Sequence, residues 1–439
     1  MIPLFDISLQ LNGFPIKKAK AELDKILTAP ENNYNDFIEG RKKEIVDFHL
    51  KNNTFYKKLA NIDSYENWYD LPVLTKYNLQ IPLNQRLSTG FNEKNVYINK
   101  TSGSSGNPMV FAKDKFAHAL TWADYKRLFS WYKIDFNQSL QARFYGMPLT
   151  FLANKKLRFK DFLSRRYRFN IFDLSDKGLK KITANFEKKN FDYINGYTSN
   201  IVLLAKYLQK KNIVLAHICP SLKVCVVTSE MLFEEDKILL EKQLGIPIVN
   251  EYGASEVGII AFENPDGEWL VNSETLFVEI VDQNNLPVPN GVVGRILVTS
   301  LDNKAHPFIR YEVGDYGILD EKSTAKKPIL KKLIGRTNDV AVLPSGKKSP
   351  GMTFYSITKK LFDDEGNVKE FKIIQTQLDV FEIEYTSEHE LTNSEIENIE
   401  KEFSNYLEPG LKYIFVRKDN LERGKSGKLK QFKSYLKYK

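Results

Sequence analysis

The sequence predicts an α/β protein with a large N-terminal domain, built from α/β sheets and a barrel-like subdomain, and a small C-terminal α+β domain. Between about residues 140 and 260, apolar runs typical of buried strands alternate with helical stretches, as expected for a sheet covered on both faces. Past residue 265 the pattern becomes short alternating strands with turns, which indicates the barrel-like subdomain. Toward the C-terminus, apolar residues alternate with glutamates from Val380 to Tyr385, a pattern typical of a half-exposed strand.

The composition suits two domains with a substantial core. The chain has 439 residues, of which 42% are hydrophobic and 27% are charged. Its first residues lack a basic start followed by an apolar run, and no stretch approaches about 18 uninterrupted apolar residues. We therefore expect a cytoplasmic enzyme. The two cysteines, Cys219 and Cys225, lie in the apolar stretch 216–227, which favours buried thiols over a disulfide framework or a zinc site.

The positive charge of the chain leaves several partners open. A net charge of +9 suits an anionic small substrate, an anionic membrane surface or a nucleic acid. The densest basic cluster runs from Lys155 to Arg168 and is interleaved with aromatic residues. Our first interpretation of this cluster is a solvated amphipathic face, and peripheral contact with a membrane or polyanion is the alternative. The charge is otherwise spread widely, and we predict no nucleic-acid partner.

The N-terminal part is predicted to be a helical layer. Residues 15–60 place apolar side chains at helical spacing. The segment Tyr69–Lys76 follows, in which Pro72 forces an extended backbone and Thr75 suits the N-cap of a new helix. A further amphipathic helix is predicted over residues 114–133, beyond a hairpin.

That hairpin carries the first motif with chemical meaning. Two short β-type runs, 96–98 and 109–111, flank the loop Asn99–Pro108, which is rich in hydroxyl residues and glycine. Glycines let a loop turn its backbone N–H groups toward an anion, and hydroxyl groups add donors, so the loop suits phosphate. It is neither a Walker loop nor a Rossmann fingerprint, because the spacing of both is absent. The candidate phosphate ligands are Thr101, Ser102, Gly103, Ser104, Ser105 and Gly106.

Polar segments are predicted where strands of the α/β sheet end. Residues 192–200 precede a helix over 201–209, the strand 224–227 ends at Thr228-Ser229-Glu230 before a helix over 233–244, and the strand 248–250 leads into Asn250–Glu256. Ligands of open α/β sheets bind at the carboxyl ends of the strands. Tyr252 offers a ring face, and Glu256 offers the hard oxygen that Mg²⁺ prefers.

Three further motifs follow. Pro307–Asp315 ends in an aspartate whose two oxygens suit a vicinal diol. A short polar junction, Gly335–Asp339, separates the body of the chain from its C-terminal part. The stretch Arg423–Leu429 contains two lysines, Lys425 and Lys428, and a compact ammonium is able to bind a carboxylate and a phosphate at once.

Taken in order, these motifs resemble those of the adenylate-forming superfamily, which includes the acyl-CoA ligases and the adenylation domains. The matching runs are Thr-Ser-Gly-Ser-Ser-Gly-Asn-Pro, Tyr-Gly-Ala-Ser-Glu, Arg-Tyr-Glu-Val-Gly-Asp, Gly-Arg-Thr-Asn-Asp and Ser-Gly-Lys, and they extend over more than two thirds of the chain. The phrase Leu71–Lys76 resembles the phenylacetate-CoA ligase branch, and Asn195–Ser199 resembles the members of that branch that act in capsule biosynthesis.

The resemblance implies a role for each candidate residue. It implies that Lys428 and Glu256 are catalytic, that Glu256 also binds Mg²⁺, that Tyr197 and Thr198 bind the substrate, and that Asn338 is the hinge. Lys425 is the alternative to Lys428. The family usually has Asp at position 338, and Asn tolerates unusual backbone angles much as Asp does. Beyond the loop Thr101–Gly106, the implied ATP ligands are Ser229, Glu230, Asn250, Tyr252, Gly253, Ala254, Ser255, Asp315 and Arg336.

The resemblance also implies an activity and a division of labour. Residues 1–336 would bind ATP and a carboxylate, and residues 337–439 would form a mobile lid that carries the catalytic lysine. ATP and Mg²⁺ would convert a small-molecule carboxylate into an acyl-adenylate, and a thiol such as CoA would then take the acyl group. The sequence leaves the acid, the acceptor (CoA or an amine) and the oligomeric state open. The alternatives are an amide-forming ligase or adenylyl transferase of surface-polysaccharide assembly, a non-catalytic relative with the same fold, and a membrane-surface binder.

Overall fold

The computed structural model describes residues 3–101, 109–146, 151–336, 340–350, 367–423 and 429–436. The chain groups into two compact units. The first unit is Met1–Val313 with Gly317–Leu333, and the second is Gly314–Tyr316 with Ile334–Lys439. A large N-terminal α/β domain and a smaller C-terminal α+β domain confirm the predicted fold class. The roles of the two domains, and the mobility of the smaller one, stay predictions.

The described residues form α-helices in both units, and short 3₁₀ turns join several of the elements. The α-helices are α1 Leu4–Leu11, α2 Ile16–Leu27, α3 Tyr34–Asn52, α4 Thr54–Ala60, α5 Lys115–Ser130, α6 Phe151–Leu163, α7 Asp176–Lys188, α8 Thr198–Lys210, α9 Leu215–Ile218, α10 Glu234–Leu244 and α11 Asn393–Tyr406. The 3₁₀ turns are Glu31–Asn33, Trp68–Asp70, Asn78–Gln80 and Leu83–Gln85. None of the described helices is long and apolar enough to cross a membrane.

The strands fall into several separate sheets. They are β1 Val96–Lys100, β2 Val110–Asp114, β3 Gln141–Phe144, β4 Arg166–Arg168, β5 Tyr193–Tyr197, β6 Val224–Thr228, β7 Ile248–Ala254, β8 Gly258–Glu263, β9 Trp269–Val271, β10 Leu276–Val281, β11 Gly294–Ser300, β12 Tyr311–Leu319, β13 Leu330–Arg336, β14 Val340–Val342, β15 Lys348–Pro350, β16 Val368–Gln375, β17 Val380–Ser387, β18 Lys412–Arg417 and β19 Phe432–Ser434.

A seven-stranded sheet in the order β4-β3-β5-β6-β7-β8-β9 forms the centre of the first unit. Strands β3 to β7 pair in parallel, and β8 and β9 add antiparallel at one edge. Side chains such as Cys225 and Val227 pack with α7, α8 and α10 on one face. Their neighbours Val224 and Val226 pack with α1, α2 and α5 on the other face. The prediction of a sheet covered on both faces is confirmed, because alternate residues of each strand enter different apolar cores.

The N-terminal helical layer is present as α2, α3 and α4, and α1 precedes it. The helix predicted after Thr75 is wrong. Asn78 accepts hydrogen bonds at its Oδ1 from the backbone N of Thr75 (2.8 Å) and from the Thr75 hydroxyl (2.7 Å). These hydrogen bonds between Thr75 and Asn78 form a local turn in place of a helix N-cap, and the chain makes only the 3₁₀ turn Asn78–Gln80.

Two smaller sheets also match the predictions. Strands β1 and β2 form the predicted antiparallel hairpin, and Val96 pairs with Asp114. The barrel-like subdomain contains a four-stranded sheet in the order β10-β11-β12-β13. Strands β10 and β11 coincide with the runs predicted at 276–281 and 294–299.

The second unit is an α+β layer. Its main sheet has the order β18-β17-β16-β19, and α11 packs on it through Ile399 and Phe403. The helix begins at a capping box: Thr392 Oγ1 accepts from the backbone N of Glu395 (3.3 Å), and the Glu395 carboxylate accepts from the backbone N of Thr392. The strands predicted at 380–385 and 412–417 and the helix predicted at 393–406 are confirmed.

Gly196→Ala is expected to destabilise the first unit by about 1–3 kcal/mol through overpacking. Gly196 on β5 lies beside Phe144 on β3, and a Cβ at position 196 would lie 2.5 Å from the Phe144 carbonyl oxygen. Urea unfolding followed by tryptophan fluorescence measures this, because Trp68, Trp122, Trp131 and Trp269, the four tryptophans of the chain, all lie in the first unit.

Gly40→Ala is the matched control. Gly40 lies within helix α3, and a Cβ there would meet nothing within 4 Å. The substitution should stabilise the first unit by about 0.5–1 kcal/mol, because alanine loses less backbone entropy than glycine in a helix. Equal effects of the two substitutions would contradict the packing argument.

Candidate active site

The carboxyl ends of the parallel strands β3, β5, β6 and β7 meet at one edge of the central sheet. Tyr197 ends β5 and pairs with Thr228, which ends β6. Thr228 in turn pairs with Glu251 on β7. This edge therefore collects the segments that were predicted to carry the chemistry, namely Tyr197-Thr198, Ser229-Glu230 and the motif that begins at Asn250.

The prediction that the Asn250 motif follows a strand is wrong, because β7 continues to Ala254. Strand β8 pairs antiparallel with this second half, so the chain stays extended beyond the last partner on β6. The register shifts between Tyr252 and Gly253, and a Cβ at Gly253 would lie 2.6 Å from the carbonyl oxygen of Gly258. Glycine is required there by the close approach of the two strands.

Tyr252 and its neighbours are partly committed to the fold. Tyr252 is buried in the apolar cluster that includes Ile260, and its ring meets Trp269 edge-on at 6.2 Å between centroids. The backbone N of Asn250 donates to Glu263 Oε2 at 3.0 Å. Most of the Tyr252 ring is therefore packed in the core, and its role as a nucleotide ligand stays a prediction.

Glu256 is the buried acid at the end of this motif. Only 4% of it is exposed, and its Oε1 accepts a hydrogen bond from the Tyr311 hydroxyl at 2.8 Å. Within the described ranges, the second oxygen, Oε2, accepts no hydrogen bond, so this oxygen keeps its lone pairs for another ligand. Tyr311 thus fixes one oxygen of the carboxylate and leaves the other available.

Lys113 on β2 is a site residue that sequence reasoning missed. Its ammonium is buried and donates to Thr121 Oγ1 at 3.2 Å. Burial lowers the pKa of Lys113 to about 8, and the charge of Glu256 acts in the opposite direction. Strand β2 contains both apolar and charged residues, so its sequence does not indicate that Lys113 is buried. The fold, and not the local sequence, brings Lys113 near Glu256.

Arg310 and Tyr311 connect this acid to the phrase that begins at Leu71. The Arg310 guanidinium is fully buried, donates to the Leu71 carbonyl at 3.0 Å and lies 3.3 Å from Glu279 Oε1. The backbone N of Leu74 donates to the Arg310 carbonyl, and the backbone N of Glu312 donates to the Leu74 carbonyl. Two motifs that are far apart in sequence are therefore held together as a short parallel bridge.

Ser229 and Glu230 lie against the substrate residues that the resemblance implied. The backbone N of Ser199 donates to Glu230 Oε2 at 2.8 Å, and the Thr198 hydroxyl donates to the Glu230 carbonyl at 3.2 Å. Glu230 thus caps helix α8, where a carboxylate is favoured by the free N–H groups. Ser229 has φ of 72°, a left-handed conformation that turns the chain sharply after β6.

The phosphate-loop candidates are only partly described. Thr101 closes the base of the hairpin: its backbone N donates to the Met109 carbonyl, and its Oγ1 accepts from the backbone N of Met109, both at 2.9 Å. The remaining candidates, Ser102, Gly103, Ser104, Ser105 and Gly106, lie outside the described residues. Their role stays a prediction.

The candidates of the C-terminal motifs either group with the second unit or lie outside the described residues. Asp315 is buried in β12, within the segment that groups with the second unit. Arg336 is the last residue of β13. Asn338, Lys425 and Lys428 lie outside the described ranges, so the hinge and the catalytic lysine stay predictions.

The basic cluster from Lys155 to Arg168 has two parts. Arg168 makes a two-point ion pair with Asp161, with Nε at 2.8 Å from Oδ2 and Nη2 at 3.1 Å from Oδ1. Phe159 and Phe162 on α6 are 63% and 70% exposed. Part of the cluster therefore stabilises the fold, and the interpretation of the rest as a solvated face or a membrane contact stays a prediction.

Glu251 lies between two residues of the predicted motif and was not among the candidates. Its Oε1 accepts from the Thr228 hydroxyl at 3.0 Å. Burial raises the pKa of Glu251 from its ordinary 4.5 to about 7, and the Thr228 hydrogen bond and the charge of Arg143 oppose this shift. Glu251 is the one charged residue of strand β7, and this is the signal that sequence reasoning overlooked.

Known proteins resemble this chain in fold and, over a shorter stretch, in sequence. No family model matches the chain. A phenylacetate-coenzyme A ligase of Aromatoleum evansii is 30% identical over 129 residues, which are 28% of this chain and 29% of that protein. The match thus spans less than a third of that relative.

Solved structures cover far more of the chain. The 2-hydroxyisobutyryl-CoA ligase in the postadenylation state, in complex with R3-HIB-AMP, matches with a TM-score of 0.71 and 16% identity over 92% of this chain and 90% of its own. The same ligase with 2-HIB-AMP and CoA in the thioesterification state matches with a TM-score of 0.56 and 16% identity over 93% and 91%. The adenylate-forming fold predicted from the motifs is confirmed, and the branch that acts in capsule biosynthesis stays a prediction.

Glu251→Gln is expected to stabilise the first unit at pH 8.5 by about 1–3 kcal/mol and to have little effect near pH 4. The folded carboxyl keeps its proton up to about pH 7, whereas the unfolded one loses it near 4.5. Folding therefore binds a proton between these values, and stability falls as the pH rises through this window. Glutamine has no carboxyl group to ionise, so the substitution removes this loss of stability at high pH. Urea unfolding followed by tryptophan fluorescence at both pH values measures the difference, and the same difference at both would contradict the shifted pKa.

Proposed function

We propose that this chain, which has the fold of the adenylate-forming ligases, activates a small-molecule carboxylate with ATP and passes the acyl group to a thiol such as CoA. In the first step, a carboxylate oxygen forms a bond to the α-phosphorus and the bond to pyrophosphate breaks. In the second, the thiol sulfur attacks the acyl carbon, and AMP leaves with the electron pair of the broken bond. The protein contributes positioning and charge rather than a covalent nucleophile.

The hydrogen bond between Tyr311 and Glu256 is the observation that carries this proposal. It joins Tyr-Gly-Ala-Ser-Glu to Arg-Tyr-Glu-Val-Gly-Asp, two motifs whose hydrogen-bonded residues are 55 positions apart in the sequence. A chance resemblance of two short motifs gives no reason for them to meet in space. Here they meet at one buried carboxylate beside the carboxyl edge of the parallel sheet, the edge at which such sheets bind ligands.

The residues around Glu256 fit one Mg²⁺ that arrives with ATP. Mg²⁺ usually takes one or two protein carboxylates and fills its other positions with phosphate oxygens and water. Oε2 of Glu256 is available for this. The described part of the chain contains no group of three or more His, Cys, Asp or Glu side chains suited to a metal. We propose that Glu256 binds Mg²⁺ as a single carboxylate, as expected for an ion held mainly by the nucleotide.

The proposed nucleotide ligands come from several segments. Thr101 at the base of the hairpin, with Ser102, Gly103, Ser104, Ser105 and Gly106, is proposed to hold the phosphates, and Asp315 the ribose. Ser229, Glu230 and the run from Asn250 to Ser255 are proposed to line the adenine pocket, and Arg336 to meet phosphate or ribose. The contacts of Glu230 with Thr198 and Ser199 support a common site for nucleotide and acid, since the residues proposed for the two ligands touch each other.

The acceptor is the less constrained half of the proposal. The ligase that matches this chain was solved with CoA, which supports a thiol. The alternative is an amine or sugar acceptor, as in an amide-forming ligase or adenylyl transferase of surface-polysaccharide assembly. The protein is incubated with ATP, an acid that supports the first step, and either CoA or an amine, and the mass of the product shows which acceptor is used.

Carboxylate-dependent exchange of labelled pyrophosphate into ATP tests the first step. We expect exchange with one class within a panel of aryl, fatty, amino, hydroxy and uronic acids. Glu256→Gln should lower the exchange rate by about 10²-fold or more, because the proposed Mg²⁺ ligand loses its preorganised negative charge. Glu268→Gln is the matched control, since Glu268 pairs with Lys327 on a turn. Binding of ATP without exchange for any acid would indicate a non-catalytic relative with the same fold.

Lys428→Ala is expected to slow adenylation by roughly two to three orders of magnitude, because the resemblance assigns its ammonium to the carboxylate and α-phosphate. Lys425→Ala, three residues away in the same basic stretch, is the matched control and should keep most of the activity. Single-turnover formation of the acyl-adenylate measures both. The reverse result would assign the role to Lys425.

A further inference from the structure

Four polar residues lie on one face of the central sheet, at its carboxyl edge. Arg143 on β3 pairs in register with Asn195 on β5, and Thr228 on β6 pairs in register with Glu251 on β7. Residues paired in a parallel sheet point to the same side, and so do residues two apart on one strand. We call Arg143, Asn195, Thr228 and Glu251 the polar strip.

The polar strip ends the apolar core that lies below it. Tyr193, Val226 and Val249 precede Asn195, Thr228 and Glu251 by two residues each on the same strands, and all three pack in the core covered by α5. This face of the sheet therefore changes from apolar to polar within one pair of residues on three neighbouring strands. Such a change is typical of the boundary between a core and a ligand site, because polar groups are costly to bury and ligand pockets carry a small number of placed polar groups.

The two ends of the polar strip have hydrogen-bonding capacity left over. On the β3 side, Asn195 Oδ1 accepts from the Tyr145 hydroxyl at 3.0 Å, while the buried Arg143 Nε has no hydrogen-bond partner among the residues that the structure describes. On the β7 side, Glu251 accepts only from Thr228 among the residues that the structure describes. A purely structural network would satisfy these groups, since leaving a charged group unpaired costs stability.

Two tyrosines lie close enough to Glu251 for its charge to act on them. Burial, followed by the charge of Glu251, raises the pKa of both Tyr125 on α5 and Tyr145 after β3. The ring of Tyr145 lies 4.8 Å from that of Tyr197 between centroids. Among the described residues, the charged and titratable groups that interact electrostatically with Glu251 are Arg143, Tyr125 and Tyr145. Hydroxyl-bearing rings beside a carboxylate suit a polar ligand with some apolar surface.

We propose that the polar strip binds the far end of the activated acid, and that this acid carries an amine or hydroxyl group that donates a hydrogen bond to Glu251. The proposal rests on the proposed ligase function and adds its substrate class. Glu251 precedes Tyr252 directly on β7, and Thr228 precedes Ser229, so the strip adjoins the residues proposed for the nucleotide. An alkyl or unsubstituted aryl acid would cover Glu251 and Arg143 without forming hydrogen bonds to them. A site built for hydrogen bonds discriminates strongly against such an acid.

Matched acids in the pyrophosphate exchange assay test the substrate class. The pairs are hexanoate with 6-aminohexanoate and 6-hydroxyhexanoate, and phenylacetate with its 4-amino and 4-hydroxy derivatives, together with a hexuronic acid. We expect kcat/KM to be about 10²-fold or more higher for the best polar acid than for any apolar one. Higher kcat/KM for hexanoate or phenylacetate overturns the inference and leaves the ligase function intact. No exchange with any acid overturns both.

Glu251→Met then tests the residue. With the best acid, KM for the acid should rise about 10- to 100-fold while KM for ATP stays unchanged, because the side chain that accepts the hydrogen bond is lost. Glu268→Gln should leave both constants unchanged. A purely structural Glu251 would change stability without a selective rise in the KM of the acid, and that result overturns the inference.

The pH profile distinguishes an amine from a hydroxyl donor. An ammonium group on the substrate needs the ionised carboxylate of Glu251. For an amine-bearing acid, kcat/KM should therefore fall as the pH drops below about 7, and this fall should be absent in Glu251→Gln. A hydroxyl donates to carboxylate and carboxyl alike, so its profile should be nearly flat in the parent. Identical falls in parent and Glu251→Gln would assign the titration to another group and overturn the contact with Glu251.

Discussion

The parallel register of β3, β5, β6 and β7 is the constraint on which the rest of the first unit depends. Parallel strands require crossover connections, and the crossover helices α7, α8 and α10 cover one face of the sheet with an apolar core. Helices α1, α2 and α5, which precede β3, cover the other face. The same register makes every strand end at one edge, so polar residues that are distant in sequence meet there without any contact of their own to bring them together. Antiparallel β8 then extends β7 beyond its neighbours and carries Gly253 and Ala254 past the edge of the sheet.

Burial of charge is the second theme of this site. Glu256, Lys113 and Arg310 are almost fully buried, and each has a partner: Tyr311, Thr121 and the Leu71 carbonyl. Glu251 likewise has one hydroxyl partner, Thr228, and burial raises its pKa to about 7. A buried charge with few partners is costly to the fold, and shifted pKa values of this kind are concentrated at functional sites.

The sequence was sufficient for those features that depend on local pattern. Apolar runs predicted the parallel sheet, and the order of short motifs predicted the fold. Features that depend on contacts distant in sequence were missed. The continuation of β7 to Ala254 depends on pairing with β8, the short turn after Thr75 depends on one side chain of Asn78, and the burial of Lys113 depends on the first unit closing over it. The sequence alone does not show whether a charged residue in a strand faces solvent or an active site.

The motif residues described here also have structural contacts, which changes how their substitution should be interpreted. Glu230 caps α8, Arg310 anchors the segment from Leu71 to Leu74, and Thr101 closes the base of the β1–β2 hairpin. Loss of activity on replacing any of them would follow from disorder of the site as readily as from lost chemistry. Only a change that separates substrate binding from turnover, or one acid from another, assigns a chemical role. Glu251 permits that separation, because its removal relieves a cost to the fold while it removes an acceptor from the site.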